Sequence, residues 1–350
     1  MLNSLRYPRA LQPGDTIGVT APSGGVGTAV MPRLDLALGH LVTRGFRLRE
    51  GACLRRDHKH VSADRESRAR EFMDFWLDPG IAAIIPPWGG ELVIDLLPLI
   101  DFARLGSAEP TWLMGYSDIS TLLFPLTLLA DVATAHGTNL MDSIPGQSDP
   151  LSTHCLDPLC RAPGESVEQV SSHHHQDHWV DFTEDPGRGF NLTSPTRWKA
   201  LGGNDDRQVA IRGRMIGGSL DTLACLVGTR FGNLPDFTRQ HRRDGVILYL
   251  ENAELAPPAV FRHLTQMRMA GWFEGLSGLV LGRSAAGAPD AHDDLTYREA
   301  VEQALGDLAL PVILDADIGH VPPQMTILNG ALAEIFAGDG RGRLIQTLAP

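Results

Sequence analysis

Apolar residues in the first third of the chain fall into short runs and one-sided stripes that alternate. Residues 15–21 (DTIGVTA) form a β-rich run that ends in the loop signal Pro22-Ser23-Gly24-Gly25. Leu34, Ala37, Leu38, Leu41 and Val42 then recur at the spacing of one buried helix face, closed by Gly45, and residues 46–49 predict a second strand. Residues 64–76 predict another helix with Ala69, Phe72, Met73 and Trp76 on one side. The runs at 81–85 (IAAII) and 111–114 are continuously apolar, as expected of parallel strands covered on both faces. Such alternation predicts an α/β domain with helices on both faces of a parallel sheet.

The pattern lapses after about residue 142. Residues 143–195 carry six prolines, four glycines and the run SSHHHQDH at 171–178, and predict a connection with one edge hairpin. Periodicity returns at Gly213 with an apolar helix over 220–227, strands at 246–250, 278–281 and 312–314, and helices at 258–270 and 297–305. A second α/β domain follows. The expected division is residues 1–145, a connecting segment 146–195, and residues 196–350, with no internal repeat.

Composition narrows the partners. A length of 350 residues suits two domains, each with its own core. The formal charge of −12 argues against the basic face that a nucleic acid polymer requires. No apolar run reaches membrane-span length, and the first 16 residues hold no signal-peptide core, so a cytoplasmic protein without a membrane partner is expected. The four cysteines, Cys53, Cys155, Cys160 and Cys225, are scattered and read as reduced thiols. His173 to His178 with Cys155 and Cys160 fit no closed zinc spacing, so the run is read as a solvated loop and no metal is expected.

Four features sit where strands end. Ser117, in GYSDI, follows a predicted strand and precedes an apolar helix over 122–129. A serine at a strand-to-helix turn lifts its hydroxyl clear of the sheet, and the next amide points at any oxyanion formed there. The alternative is a helix N-cap, since Ile119 departs from the hydrolase elbow pattern. Gly89-Gly90 follows strand 81–85 and allows close backbone approach to a ligand, or forms a plain turn. Glu251 ends strand 246–250 and could orient a histidine, with Glu254 competing for that role. His320 lies just past strand 312–314, a suitable place for a general base. The order Ser, acid, His occurs also in α/β-hydrolases.

Taken together, LQPGDTIGVTAPSG near the start, WGG at 88–90, GYSDIS at 115–120, GRMIGGSLDTL at 213–223, VILYLEN at 246–252 and DIGH at 317–320 resemble the LD-carboxypeptidase superfamily. That superfamily includes murein tetrapeptide LD-carboxypeptidases and microcin C immunity (MccF-like) serine peptidases. The resemblance implies a Rossmann-like N-terminal domain whose elbow carries Ser117 as nucleophile, and a C-terminal α/β domain carrying Glu251 as acid and His320 as base. The active site would lie at their interface. It further implies an oxyanion hole from the Asp118 amide and one amide of Gly89-Gly90, no metal or other cofactor, and a homodimer. The substrate would be a small peptide of the murein L,D-tetrapeptide type, or alternatively a peptidyl-aminoacyl nucleotide. The segment Pro87-Trp88-Gly89-Gly90-Glu91 and the missing acidic pair after Glu251 set this chain apart from the murein type, the tract WGGELVIDLLPLID is closer to the MccF-like branch, and Ser219 stands where Asn is usual. Trp88 and Trp198 are candidates for stacking on a substrate ring, with core packing as the alternative reading. A non-catalytic ligand-binding protein would place glycine turns at strand ends too, but would not need Ser117, Glu251 and His320 to converge.

Overall fold

A computed structural model describes residues 5–178, 181–202, 207–287 and 294–349. The apolar runs become strands buried on both faces. Ile81–Ile84 and Trp112–Gly115 are buried at every position, and Thr16–Val19 beyond its first residue. They lie in a six-stranded sheet whose order is Ile327–Asn329, Thr134–His136, Trp112–Gly115, Ile81–Ile84, Thr16–Val19 and Arg47–Glu50. All neighbours are parallel except Ile327–Asn329, which comes from the far end of the chain and pairs antiparallel with Thr134–His136.

Helices cover this sheet as the periodicity predicts. Met31–Thr43 buries Leu34, Ala37, Leu38 and Leu41. Val42 is a correction: at the edge of the stripe, it stays 56% exposed. Arg65–Leu77 starts at Asp64, whose side chain accepts from the Ser67 amide as an N-cap and so settles the helix start. Ser120–Ala130, apolar nearly all round, is buried along most of its length. It packs on the short helix Leu220–Leu223 of the C-terminal half, so an all-apolar helix is what that place requires.

An eight-stranded sheet forms the second half, in the order Ser166–Val170, Arg341–Thr347, Leu332–Gly338, Val209–Ser219, Val246–Glu251, Gly278–Gly282, Val312–Ala316 and Lys199–Ala200. Its centre is parallel, from Val209–Ser219 through Val312–Ala316, and both flanks are antiparallel. Two α/β sheet systems are thus present, as expected. The low-periodicity stretch supplies one edge strand of this sheet at Ser166–Val170, and the two-residue strands His174–His175 and Ser194–Pro195 pair with each other. Among the described residues no helix is long and apolar enough to cross a membrane.

Polar contacts of Asn329 and Ser219 help tie the sheet systems together. Asn329, fully buried, accepts on its Oδ1 from the Tyr249 hydroxyl at 2.8 Å and from the Gly217 amide at 3.2 Å. Its Nδ2 donates to Thr134 Oγ1 at 3.1 Å in the first sheet. The Ser219 amide donates to Ser120 Oγ at 3.0 Å, linking the end of a second-sheet strand to the helix behind Ser117. Replacing Asn329 by leucine strands two buried donors, the Tyr249 hydroxyl and the Gly217 amide, whereas Thr134 Oγ1 keeps Thr127 and the Leu123 carbonyl. A loss of at least about 2 kcal/mol is expected, at about 1–3 kcal/mol per unsatisfied group. It should appear as a lower denaturant midpoint with an unchanged slope.

Candidate active site

Ser117 stands two residues past the strand Trp112–Gly115, and its backbone is left-handed, with φ at +63°. For a non-glycine residue this costs roughly 1–2 kcal/mol and persists only where surrounding contacts impose it. Those contacts are identifiable. The Tyr116 amide donates to Asn139 Oδ1 at 3.2 Å, and residues 117–119 turn as a 3₁₀ helix straight into Ser120–Ala130. The Asp118 side chain, 2% exposed, accepts from Ser23 Oγ at 2.6 Å, from the Val93 amide at 2.9 Å and from Thr121 Oγ1 at 3.3 Å. Burial pushes its carboxyl above the ordinary range despite those hydrogen bonds. One buried acid therefore holds the serine turn, the loop after Thr16–Val19 and the segment beyond Gly89-Gly90.

Gly89 closes against the serine. A methyl group there would lie 2.7 Å from Ser117 Cβ, 2.9 Å from its Oγ and 2.9 Å from the Asp118 amide nitrogen. The space a side chain would fill is the space in front of the serine hydroxyl and that amide, which is why glycine stands there. Gly90 instead faces Ser23 and the Gly24 amide. The Gly89 carbonyl accepts from the Gly24 amide at 3.2 Å, and Trp88 donates from its indole to the Gly24 carbonyl at 3.1 Å. Trp88 thus pins the 22–25 loop and stays half-buried.

Glu251 and His320 meet at the carboxyl ends of the second sheet's parallel strands. Glu251 is the last residue of Val246–Glu251 and is 1% exposed. Its Oε2 lies 2.7 Å from His320 Nδ1 and accepts from the His320 amide at 3.4 Å. Room for the carboxylate comes from Gly319, at φ +90°, where a Cβ would sit 2.3 Å from Glu251 Oε2. Burial works against charge on Glu251, yet the facing His320, with help from His136, holds its carboxyl below the ordinary range. Burial likewise opposes charge on His320, and Glu251, with Asp221 and Asp142 behind it, outweighs that and raises the imidazole. The Tyr116 ring, next to Ser117, packs edge-on against His320 with centroids 4.9 Å apart, and its hydroxyl donates to Asp142 Oδ2 at 3.1 Å.

The stretch 17–137 matches the LD-carboxypeptidase N-terminal domain, and 212–335 matches the LD-carboxypeptidase C-terminal domain, together well over half the chain. The chain belongs to the LD-carboxypeptidase family. That membership makes it a serine-type carboxypeptidase. A putative carboxypeptidase of Vibrio cholerae is 27% identical over 335 residues, covering 94% of each chain. The murein tetrapeptide carboxypeptidase of Pseudomonas aeruginosa is 30% identical over 237 residues, 67% of this chain and 66% of that one. Among solved structures, MccF in complex with glutamyl sulfamoyl guanosine superposes with a TM-score of 0.82 at 23% identity, over 97% of this chain and 98% of that one. This last likeness establishes the fold.

Within this LD-carboxypeptidase the sequence-predicted residues gather in two groups: Ser117 with Asp118 and Gly89, and Glu251 with His320. Trp198 is a correction. It is 1% exposed and its indole donates to Asp317 Oδ2 at 2.8 Å, so it offers no face to a ligand. Asp317 also accepts from Ser172 Oγ at 2.6 Å and from Arg283 at 2.9 Å, which fixes the loop that presents His320. Sequence reading passed over Asp317 although it opens the DIGH motif, and over the side-chain role of Asp118. Glu254 donates its amide to Asp221 and is exposed, away from the His320 contact that Glu251 makes. Among the described residues no three histidine, cysteine or acidic side chains converge as a metal site.

Gly89→Ala adds no left-handed backbone strain, because Gly89 is not among the positive-φ residues, but its methyl would occupy the space before Ser117 and the Asp118 amide. A fall in kcat on the order of 10²–10³, the cost of disabling an oxyanion donor, is expected, with a lower melting temperature because Ser117 Cβ and the Asp118 amide must shift to admit the methyl. Parallel turnover and thermal-melt measurements check both halves.

Proposed function

We propose that this carboxypeptidase cleaves an amide near the carboxyl terminus of a small peptide of the murein L,D-tetrapeptide type, with Ser117 as nucleophile, His320 as general base and Glu251 as the orienting acid. The observation that carries the reading is the buried 2.7 Å contact of Glu251 with His320 Nδ1, on a histidine whose ring touches the residue beside Ser117. A carboxylate on Nδ1 fixes the tautomer that leaves Nε2 free to take a proton.

In this mechanism Ser117 Oγ forms a bond to the scissile carbonyl carbon as its proton passes to His320 Nε2. The carbonyl oxygen becomes an oxyanion in front of the Asp118 amide and the Gly89-Gly90 turn. His320 then gives its proton to the leaving amine, the C–N bond breaks, and an ester to Ser117 remains. Water, deprotonated by His320, attacks that ester, and Ser117 leaves with the proton returned from His320. Glu251 stays ionised throughout and balances the imidazolium.

Support for a murein peptide comes from the 30% identical murein tetrapeptide carboxypeptidase. A second reading, cleavage of a peptidyl-aminoacyl nucleotide, is favoured by the MccF fold match and by Trp88, half-buried beside the serine turn. Hydrolysis of a murein tetrapeptide ending in D-Ala, compared with a peptidyl-aminoacyl adenylate analogue, separates the two. Cleavage of only the nucleotide conjugate would replace the first reading by the second.

Ser117→Ala should lower kcat by on the order of 10⁴ or more on whichever substrate is cleaved, with the melting temperature unchanged. Full activity in that variant would end the mechanism. Because Glu251 raises His320, the base is lost as pH falls through a value above the ordinary imidazole range of about 6.5. The acid limb of kcat/KM should therefore have its midpoint above about 6.5, and a midpoint below it would contradict the pairing.

A further inference from the structure

The Glu251 carboxylate has two oxygens, and His320 uses only one. Glu251 Oε1 is buried and has no hydrogen-bond partner. Facing it, 4.0 Å away, is Nε2 of His136, a fully buried histidine at the end of Thr134–His136 in the other sheet. Neither ring nitrogen of His136 has a hydrogen-bond partner. Three buried polar atoms left unpaired at the meeting point of two sheets are costly, and each asks for an explanation.

We propose that His136 is a positioning residue for the base: as the neutral Nε2–H tautomer it directs its N–H at Glu251 Oε1 and, through that carboxylate, holds down the basicity of His320. The proposal rests on the triad reading above. Its geometry is a carboxylate bracketed by two imidazoles, one from each sheet. The present 4.0 Å is outside hydrogen-bond range, and closure of about 1 Å would make a charge-assisted bond. A donor on Oε1 draws negative charge toward itself, so Oε2 pulls less strongly on the proton at His320 Nδ1. It also keeps the carboxylate from rotating away from His320.

The surroundings suit this role. The titratable groups facing His136 are Glu251, His320 behind it, Tyr116 with ring centroids 6.2 Å away, and Tyr249 at 5.3 Å. Tyr249 is engaged with Asn329 and Tyr116 with Asp142, so neither hydroxyl competes for the imidazole. Burial pushes the His136 imidazole down to about 4 against the attraction of Glu251, so it is neutral where a serine hydrolase works. A neutral donor supports the carboxylate without cancelling the charge that His320 needs.

The test reads His320 directly and needs no substrate. In protein labelled with ¹³C,¹⁵N-histidine, with His320 and His136 assigned from His320→Gln and His136→Gln, the His320 titration is followed in wild type, His136→Leu and His136→Gln. Leucine removes the donor, and glutamine restores an N–H near the Nε2 position. His136→Leu should raise the His320 midpoint by about one pH unit, tenfold in proton affinity, and His136→Gln should stay near wild type. On a cleaved substrate the acid limb should move by the same amount, with KM unchanged within about twofold and kcat near pH 7 lowered severalfold, by at most about tenfold. An unmoved His320 midpoint in a folded His136→Leu, or an equal shift in the glutamine variant, would overturn the proposal. If His136→Leu fails to fold, the ¹⁵N shifts of wild-type His136 still decide, since an Nδ1–H tautomer or a charged ring at neutral pH would overturn it. Ser117→Ala, assayed alongside, separates the two readings: an active Ser117→Ala refutes the triad, whereas an inactive one with an unmoved His320 refutes only the role of His136.

Discussion

A carboxylate with almost no water around it sets the terms for the rest of this molecule. Glu251 is 1% exposed, and an isolated buried carboxylate would shed its charge by taking up a proton. It keeps that charge because His320 lies on one of its oxygens. Meeting this requirement calls for a strand ending at residue 251, a glycine at 319 with no Cβ to collide, and a loop that turns back over the carboxylate. It also calls for the two sheets to meet here, since the wall opposite Oε1 is His136 of the first sheet.

The same device recurs at lower stakes in the two loops that flank the site. Asp118 and Asp317 are each buried, each adjoins or nearly adjoins a site residue, and each collects donors from remote parts of the chain. Asp118 gathers Ser23 and the Val93 amide around the Ser117 turn. Asp317 gathers Ser172, Trp198 and Arg283 around the turn that carries His320. A loop held by a satisfied buried acid gains a defined shape without regular secondary structure, and a rigid loop spares the entropy of ordering when substrate arrives. The proline-rich middle of the chain takes part through Ser172.

Much of the scaffold was legible in the residues. The apolar runs at 81–85 and 246–250 and the stripe through Leu34 and Leu41 reported burial, because period and continuity are local properties of the chain. Ser117, Glu251 and His320 were legible for a related reason, as polar residues at the ends of such runs. Other strands escaped. Val209–Ser219 carries two arginines and three glycines, and Leu332–Gly338 and Arg341–Thr347 bury every second position, but those positions include glycine, alanine and glutamine, so the apolar pattern is faint. They are strands because partners far along the chain complete their hydrogen bonds, and no local pattern names a partner.

The sequence by itself therefore determined the α/β elements, their buried faces and the residues with chemistry at strand ends. Tertiary structure decided which of those ends share a site. Ile327–Asn329 crosses back to pair with Thr134–His136 and brings the first sheet against the second. That crossing gives Glu251 a neighbour in His136, while Asp317 holds Trp198 beneath the His320 loop instead of in front of it. Burial and pairing at these positions depend on surfaces more than 100 residues distant in several cases, and a one-dimensional pattern carries the wish to be buried but not the address.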